Sequence, residues 1–201
     1  HIAIIRALAK QRKGITRKEL ITKTKLKSGG DFSLKLFELT ESGFVHEYQF
    51  HQNKKKETLY RLSDEYSLFY LQFIEPKKHN GKGSWHTFYQ SRSYSSWSGF
   101  SFESLCLKHI YQIKRALRID AIHSQHDCWF NDKAQIDLLI DRADNVINIC
   151  EMKFYNGPFT IDKKTYLNIK NKLNQFQLTT NTKKNLFLTM VSTFGVTENE
   201  Y

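Results

Sequence analysis

Two apolar runs, "QIDLLIDR" and "VINICEMKFY", joined by "ADN" across residues 135–155, constrain this chain more than any other feature. Short runs rich in Ile, Leu and Val around an Asp-Asn turn read as an antiparallel hairpin. Each run also carries acid, Asp137 inside the first and Glu151 near the end of the second. A buried carboxylate costs several kcal/mol unless cations or donors meet it. Such strands either hold a structural ion pair or build a site.

The strand period of two says which side chains can meet. Glu151 and Lys153 share a face, Met152 points away, and Gln135 and Asp137 share a face. If the hairpin pairs as its turn suggests, Asp137, Glu151 and Lys153 meet at one end of the sheet. Upstream, "FSFESLCLKHIYQIKRALR" spaces Phe102, Leu105, Ile110, Ile113 and Leu117 as one helix, with Glu103 near its start and within reach of the same place. Three carboxylates and one lysine repel one another without a cation. Mg²⁺ or Mn²⁺ takes carboxylate oxygens and water, activates bound water and offsets charge on a phosphoryl centre. The plainer alternative is that Lys153 bridges Glu151 or Asp137 as an ion pair.

The remaining elements follow in order. "IDAIHS" and "CWF" read as short strands before the hairpin, residues 159–180 as a helix with Leu167, Leu173 and Phe176 apolar, and "NLFLTMVST" as a further buried strand. Earlier, "HIAIIRALAKQ" spaces Ile2, Ile5, Leu8 and Ala9 helically, and Thr16 with Glu19 forms a capping box for "TRKELITKT". "DFSLKLFELTESG" sets Phe32, Leu36 and Leu39 on one face and stops at Gly43. "FVHEYQF" and "ETLYRLS" are β-prone segments around "HQNKKK". Three helices and a hairpin are the order of a winged helix-turn-helix, with Lys54, Lys55 and Lys56 placed where a wing meets phosphates. Arg17, Lys18 and Lys35 are further candidates for nucleic-acid contact. Glu38 and Glu41 on the third helix would face DNA badly, which keeps a protein–protein adaptor as the alternative. "DEYSLFYLQFIEP" reads as a helix capped by Ser63 or Asp64 and closed by Pro76.

Charge points the same way. Residues 1–62 hold 14 Lys and Arg against 6 Asp and Glu, and residues 63–201 hold 17 against 14, so most of the net +11 lies in the first third. An anionic partner, DNA first, is expected there. The expected organisation is a winged-helix domain at 1–76, a connector rich in Gly, Ser, Lys and aromatics at 77–98, and an α+β domain at 99–201 with helices on a mixed sheet.

Asp137, then 13 residues, then Glu151 and Lys153 resembles the signature of the PD-(D/E)xK nuclease superfamily. With "YRLSDEYSLFYLQFIEP", "WSGFSFESLCLKHI", "QIDLLIDRADNVINICEMKF" and "FTIDKK", the chain is similar to the C-terminal half of predicted ATPases of the archaeal-ATPase type. Ile136 stands where that signature carries proline. The resemblance implies Asp137 and Glu151 as metal ligands with the Met152 carbonyl as a third, Lys153 as catalytic lysine, Glu103 as auxiliary acid, and Gln135 as a neighbour holding water or phosphate. It also implies a P-loop ATPase domain upstream in the same polypeptide. The activity implied is metal-dependent cleavage of DNA. The alternative is a non-catalytic DNA-binding or oligomerisation module that regulates the ATPase.

Other chemistries lack their residues. "NGKGS" lacks the spacing of a phosphate-binding loop, so no ATP site is expected, and "GFSFES" is not a nucleophile elbow. His123 and His126 beside Cys128 have no second ligand pair at zinc-like spacing and read as edge-strand and turn residues. Three dispersed cysteines fit small buried apolar residues in a reducing, cytoplasmic setting. No apolar run reaches the roughly 18 residues of a membrane helix, and a homo-oligomer is allowed. The start at His1, without methionine, is expected of a piece of a longer product.

Overall fold

A computed structural model describes residues 1–11, 14–49, 58–77, 88–89 and 91–200. The described residues divide into two compact units, one within 1–101 and one from 102 to 200.

The first unit begins with helix α1 (Ile2–Ala9), strand β1 (Ile15–Thr16), and helices α2 (Arg17–Thr24) and α3 (Gly30–Glu41). Strands β2 (Val45–Gln49) and β3 (Thr58–Leu62) follow, and all three strands form an antiparallel sheet in the order β1-β3-β2. The Thr16–Glu19 capping box forms with both of its reciprocal bonds. Phe32, Leu36 and Leu39 are buried as their spacing requires, packed with Ile4, Leu8 and Leu20. In α1 the inward positions are Ile4 and Leu8, whereas Ile2 lies 69% exposed. Strand β1 was not anticipated, because two residues are too few to show a period. Asp64 caps α4 (Glu65–Phe69) by accepting from the Ser67 amide at 2.6 Å. The chain then widens into one π turn (Tyr70–Ile74) and a 3₁₀ turn (Glu75–Lys77) instead of stopping at Pro76.

Helix α5 (Arg92–Lys108) starts within the stretch read as a connector. At His109 the helix expected over 100–118 breaks, and α6 (Ile110–Ala116) follows. Of the apolar positions expected, Phe102, Ile110 and Ile113 pack against the core, while Leu105 and Leu117 are exposed and Phe100 and Cys106 are buried instead.

The second unit is built on a four-stranded sheet of β4 (Ser124–Phe130), β5 (Gln135–Arg142), β6 (Val146–Lys153) and β8 (Asn185–Ser192), in that spatial order. The first three strands run antiparallel, and β8 lies parallel to β6. Parallel pairing needs a crossover, which α7 (Lys163–Thr180) supplies. Strands β7 (Phe159–Thr160) and β9 (Val196–Thr197) form a separate parallel pair, so α7 starts four residues later than its pattern suggested. "IDAIHS" is a turn up to His123 rather than a strand, with the Ile119 amide donating to the Lys114 carbonyl. One face of the sheet packs Leu138, Ile140, Cys150 and Met152 on Cys106 and Ile119, and the other packs Ile136, Leu139, Ile147 and Ile149 on Phe176 of α7. In α7, Leu173 and Phe176 face inward as expected, but Leu167 is 53% exposed. Strand β8 is an edge rather than a buried strand, and Phe187 is 53% exposed.

Candidate functional site

The hairpin forms as its sequence suggests, turning at Ala143–Asn145, where Asn145 takes a left-handed φ of 66°. Its register pairs Leu139 with Ile149 and Leu138 with Cys150, where the pairing ends, with Asp137 and Glu151 each one residue beyond on its own strand. Strict alternation does not hold through β5, however. Asp127 pairs with Leu139 and Trp129 with Ile136, which leaves Cys128 opposite both Asp137 and Leu138. This is a β-bulge, and it explains why Ile136 and Leu139, three apart, lie in one core while Leu138 lies in the other. A bulge re-aims the side chain it carries, and here that residue is Asp137. Its carboxylate Oδ1 accepts from Gln135 Nε2 at 2.6 Å, which brings those two residues together.

Glu151 continues the face of Ile147 and Ile149, the side covered by α7. Its side chain is only 10% exposed and meets two ammonium groups. Lys153 Nζ lies 2.7 Å from Oε1, as the i, i+2 spacing on one strand allows. Lys172 Nζ, reaching in from α7, lies 2.7 Å from Oε2. Burial pushes the Glu151 carboxyl up; the fields of Lys172 and Lys153 outweigh it, and the group titrates below its ordinary value. The pair of cations therefore keeps a nine-tenths buried acid ionised.

Lys172 is the residue that sequence reasoning missed. It lies 21 positions beyond Glu151 on a helix with three other lysines, and no short motif joins it to "CEMKF". The available signal was its place among the inward positions Ile169, Leu173 and Phe176. A lysine one residue before Leu173 sits at the margin of the buried face, where its stem can pack and its ammonium can reach a nearby acid.

Glu103 lies half-buried on α5, one helical turn from Cys106, where its charge helps raise that thiol. Among the described residues no group of three or more His, Cys, Asp and Glu could hold a metal ion. The expected convergence of Glu103, Asp137 and Glu151 is therefore not present as a three-acid cluster. Both Glu151 oxygens already accept from a lysine, and each retains a further lone pair.

In the first unit, Arg17 donates to Ser33 Oγ at 2.9 Å and stands 5.3 Å from the centre of the Phe32 ring. Lys35 pairs with Asp31 on its own helix, and Lys18 is exposed. Lys54, Lys55 and Lys56 lie outside the described residues. All three cysteines are free and buried. No helix among the described residues is long and apolar enough to cross a membrane.

No curated protein and no solved structure matches the chain. Residues 70–169 match the family model DUF234, described as archaea bacterial proteins of unknown function, a stretch that contains Glu103, Gln135, Asp137, Glu151 and Lys153 and stops short of Lys172.

Proposed function

We propose that the second unit is a divalent-metal-dependent nuclease module of the PD-(D/E)xK type, and that the first is a winged helix that brings it to DNA. The observation that carries this reading is Glu151, a buried carboxylate held ionised between Lys153 and Lys172 one residue beyond the last hairpin pair, Leu138–Cys150. The order of helix, three antiparallel strands, crossover helix and parallel strand supports it. So does the order α1-β1-α2-α3-β2-β3 for the winged helix. The match to a family of archaeal and bacterial proteins is compatible with a P-loop ATPase domain upstream in the same polypeptide.

Carboxylates and a carbonyl are hard oxygen donors of the kind that Mg²⁺ and Mn²⁺ take. Asp137 and Glu151, with the Met152 carbonyl, would hold the ion, and Glu103 enters only as an auxiliary acid. The ion would neutralise phosphate charge and lower the pKa of a bound water. Lys153 is the more exposed of the two lysines, at 37%, and so is placed to donate to a phosphate oxygen or to orient the attacking water. Lys172, at 17%, keeps Glu151 ionised and positioned. Gln135 fixes one oxygen of Asp137 and leaves the other free to act.

A second reading rests on the same contact. Two ammonium groups already satisfy Glu151, which also suits a nuclease-like module that binds DNA or assembles without cutting. Purified protein is tested on supercoiled, linear and branched DNA with Mg²⁺, Mn²⁺ or EDTA, beside Asp137→Ala and Lys153→Ala. Cleavage that needs metal and is lost in both variants is the expected result. DNA binding by folded wild type without cleavage under any of these conditions would establish the second reading instead.

A further inference from the structure

We infer that the solvent face of α7, in the second unit, binds the phosphate backbone of nucleic acid, and that α3 of the first unit does not. The inference rests on the reading that this chain acts on a phosphodiester, and it adds the surface along which the strand lies.

Several cations in this molecule are neutralised internally. Arg6 pairs with Glu75, Lys35 with Asp31, Arg142 with Asp144, Lys184 with Asp141, and both Lys153 and Lys172 with Glu151. Helix α3, where a winged helix would read bases, carries Asp31, Glu38 and Glu41 against the single Lys35. Its field repels phosphate. Helix α7 is the opposite case: 18 residues with four lysines and neither Asp nor Glu. Lys163, Lys164 and Lys170 are exposed, and the acid nearest them on this element is the N-cap Asp162, which interacts electrostatically with Lys164.

Polar side chains on that face, which also exposes Leu167, suit the same partner. Asn168, Asn171 and Asn174 are exposed and offer neutral donors between the lysines. Lys170 Nζ sits 5.8 Å from the centre of the Tyr166 ring, which steadies its long side chain over the helix. Lys163 and Lys170 are two turns apart and so share a side, with an axial rise between them of about 10 Å. That spans about three phosphates of one DNA strand at ~3.4 Å of axis each. The same helix turns Lys172 inward to Glu151, about half a turn around the axis from Lys163 and Lys170, so the outer face offers a phosphate surface separate from the candidate site.

The test uses the full chain in EDTA, where metal-dependent cutting cannot occur. Anisotropy of labelled single-stranded DNA, its duplex and the RNA of the same sequence is followed against KCl. Lys163→Gln/Lys164→Gln/Lys170→Gln should weaken binding to all three by roughly tenfold or more and reduce the magnitude of the salt slope by about 2 to 3. Lys23→Gln/Lys133→Gln/Lys183→Gln, which removes the same charge from other exposed positions, should leave the slope within about 0.5 of wild type. An unchanged slope in the α7 variant, an equal loss in the control, a loss confined to one nucleic acid, or no binding by wild type would each overturn the inference. A separate Mg²⁺ cleavage assay tests the nuclease reading, so binding lost in the α7 variant stands even if wild type never cuts.

Discussion

Replacing Lys172 with methionine isolates the contact on which the site depends. Methionine keeps much of the aliphatic length and removes the ammonium group, so the packing of α7 on Ile147 and Ile149 is largely preserved. Removing one partner of a buried pair costs about 3–5 kcal/mol when the remaining charge is left alone. Glu151 is not left alone, since Lys153 stays at 2.7 Å, but that side chain is 37% exposed and partly screened. The expected loss for Lys172→Met is therefore about 2–3 kcal/mol. Lys153→Met, removing the more exposed cation, should cost about 1 kcal/mol or less. In a Glu151→Gln background the Lys172→Met cost should shrink, giving a coupling energy of at least about 1.5 kcal/mol.

The pH dependence has a definite sign. Glu151 titrates below its ordinary value in the folded protein because Lys172 and Lys153 outweigh burial. Its stabilisation is fully present above the unfolded carboxylate value of about 4.3 and is lost as pH falls through the folded value. Without Lys172 the burial contribution gains weight and the Glu151 value rises. The deficit of Lys172→Met should be largest near neutral pH and fade in acid, once Glu151 is protonated in both proteins. Amide hydrogen exchange of β6 and α7 peptides measures this for the second unit alone, which matters in a chain of two units. A deficit below about 0.5 kcal/mol at neutral pH, or one that does not change on acidification, would refute the claim that Lys172 holds Glu151 as an ion.

Two further predictions test the surrounding fold. Burial pushes the Cys106 thiol up to about 11 and the Cys150 thiol to about 12, so neither should react measurably with a thiol reagent at pH 8 until the second unit unfolds; prompt labelling of the native protein at Cys150 would contradict the packing of that face. Gly14 holds a φ of +76°, and a Cβ there would fall 2.3 Å from Tyr48 Oη and 3.1 Å from the Tyr60 carbonyl; Gly14→Ala should cost at least about 2 kcal/mol in urea denaturation of the first unit, whereas Gly43→Ala, strained in φ but facing open space, should cost less.

Elements were legible where local chemistry decides them. The Thr16–Glu19 box, the inward face of α3 and the Ala143–Asn145 turn each follow from residues close in sequence, and each formed. Expectations failed where tertiary packing chose between local options. Phe102, Ile110 and Ile113 pack as their spacing suggests, but Leu105 and Leu117 fit the same helical spacing and are exposed, and the helix breaks at His109. "NLFLTMVST" reads as buried because it is apolar, but an edge strand has a second strand on one side only. The bulge at Asp137 could not be foreseen either, because "QIDLLID" fits a period of two and only the register against β4 reveals the extra residue.

The site was half legible for the same reason. Glu151 and Lys153 share one strand, so the period of two dictated their meeting. Lys172 arrives through the crossover helix, and no local rule reports that contact. Its presence changes what the acids can do. Two lysines and two carboxylates, Glu151 and Asp137, make the hairpin end neutral, so it gains attraction for a phosphate once a cation is bound. An ion binding beside Asp137 would add charge that only an anionic substrate can balance. Metal and nucleic acid should therefore bind with positive cooperativity at this site, and that coupling is what separates a nuclease centre from a structural ion triad, in which Glu151 needs neither.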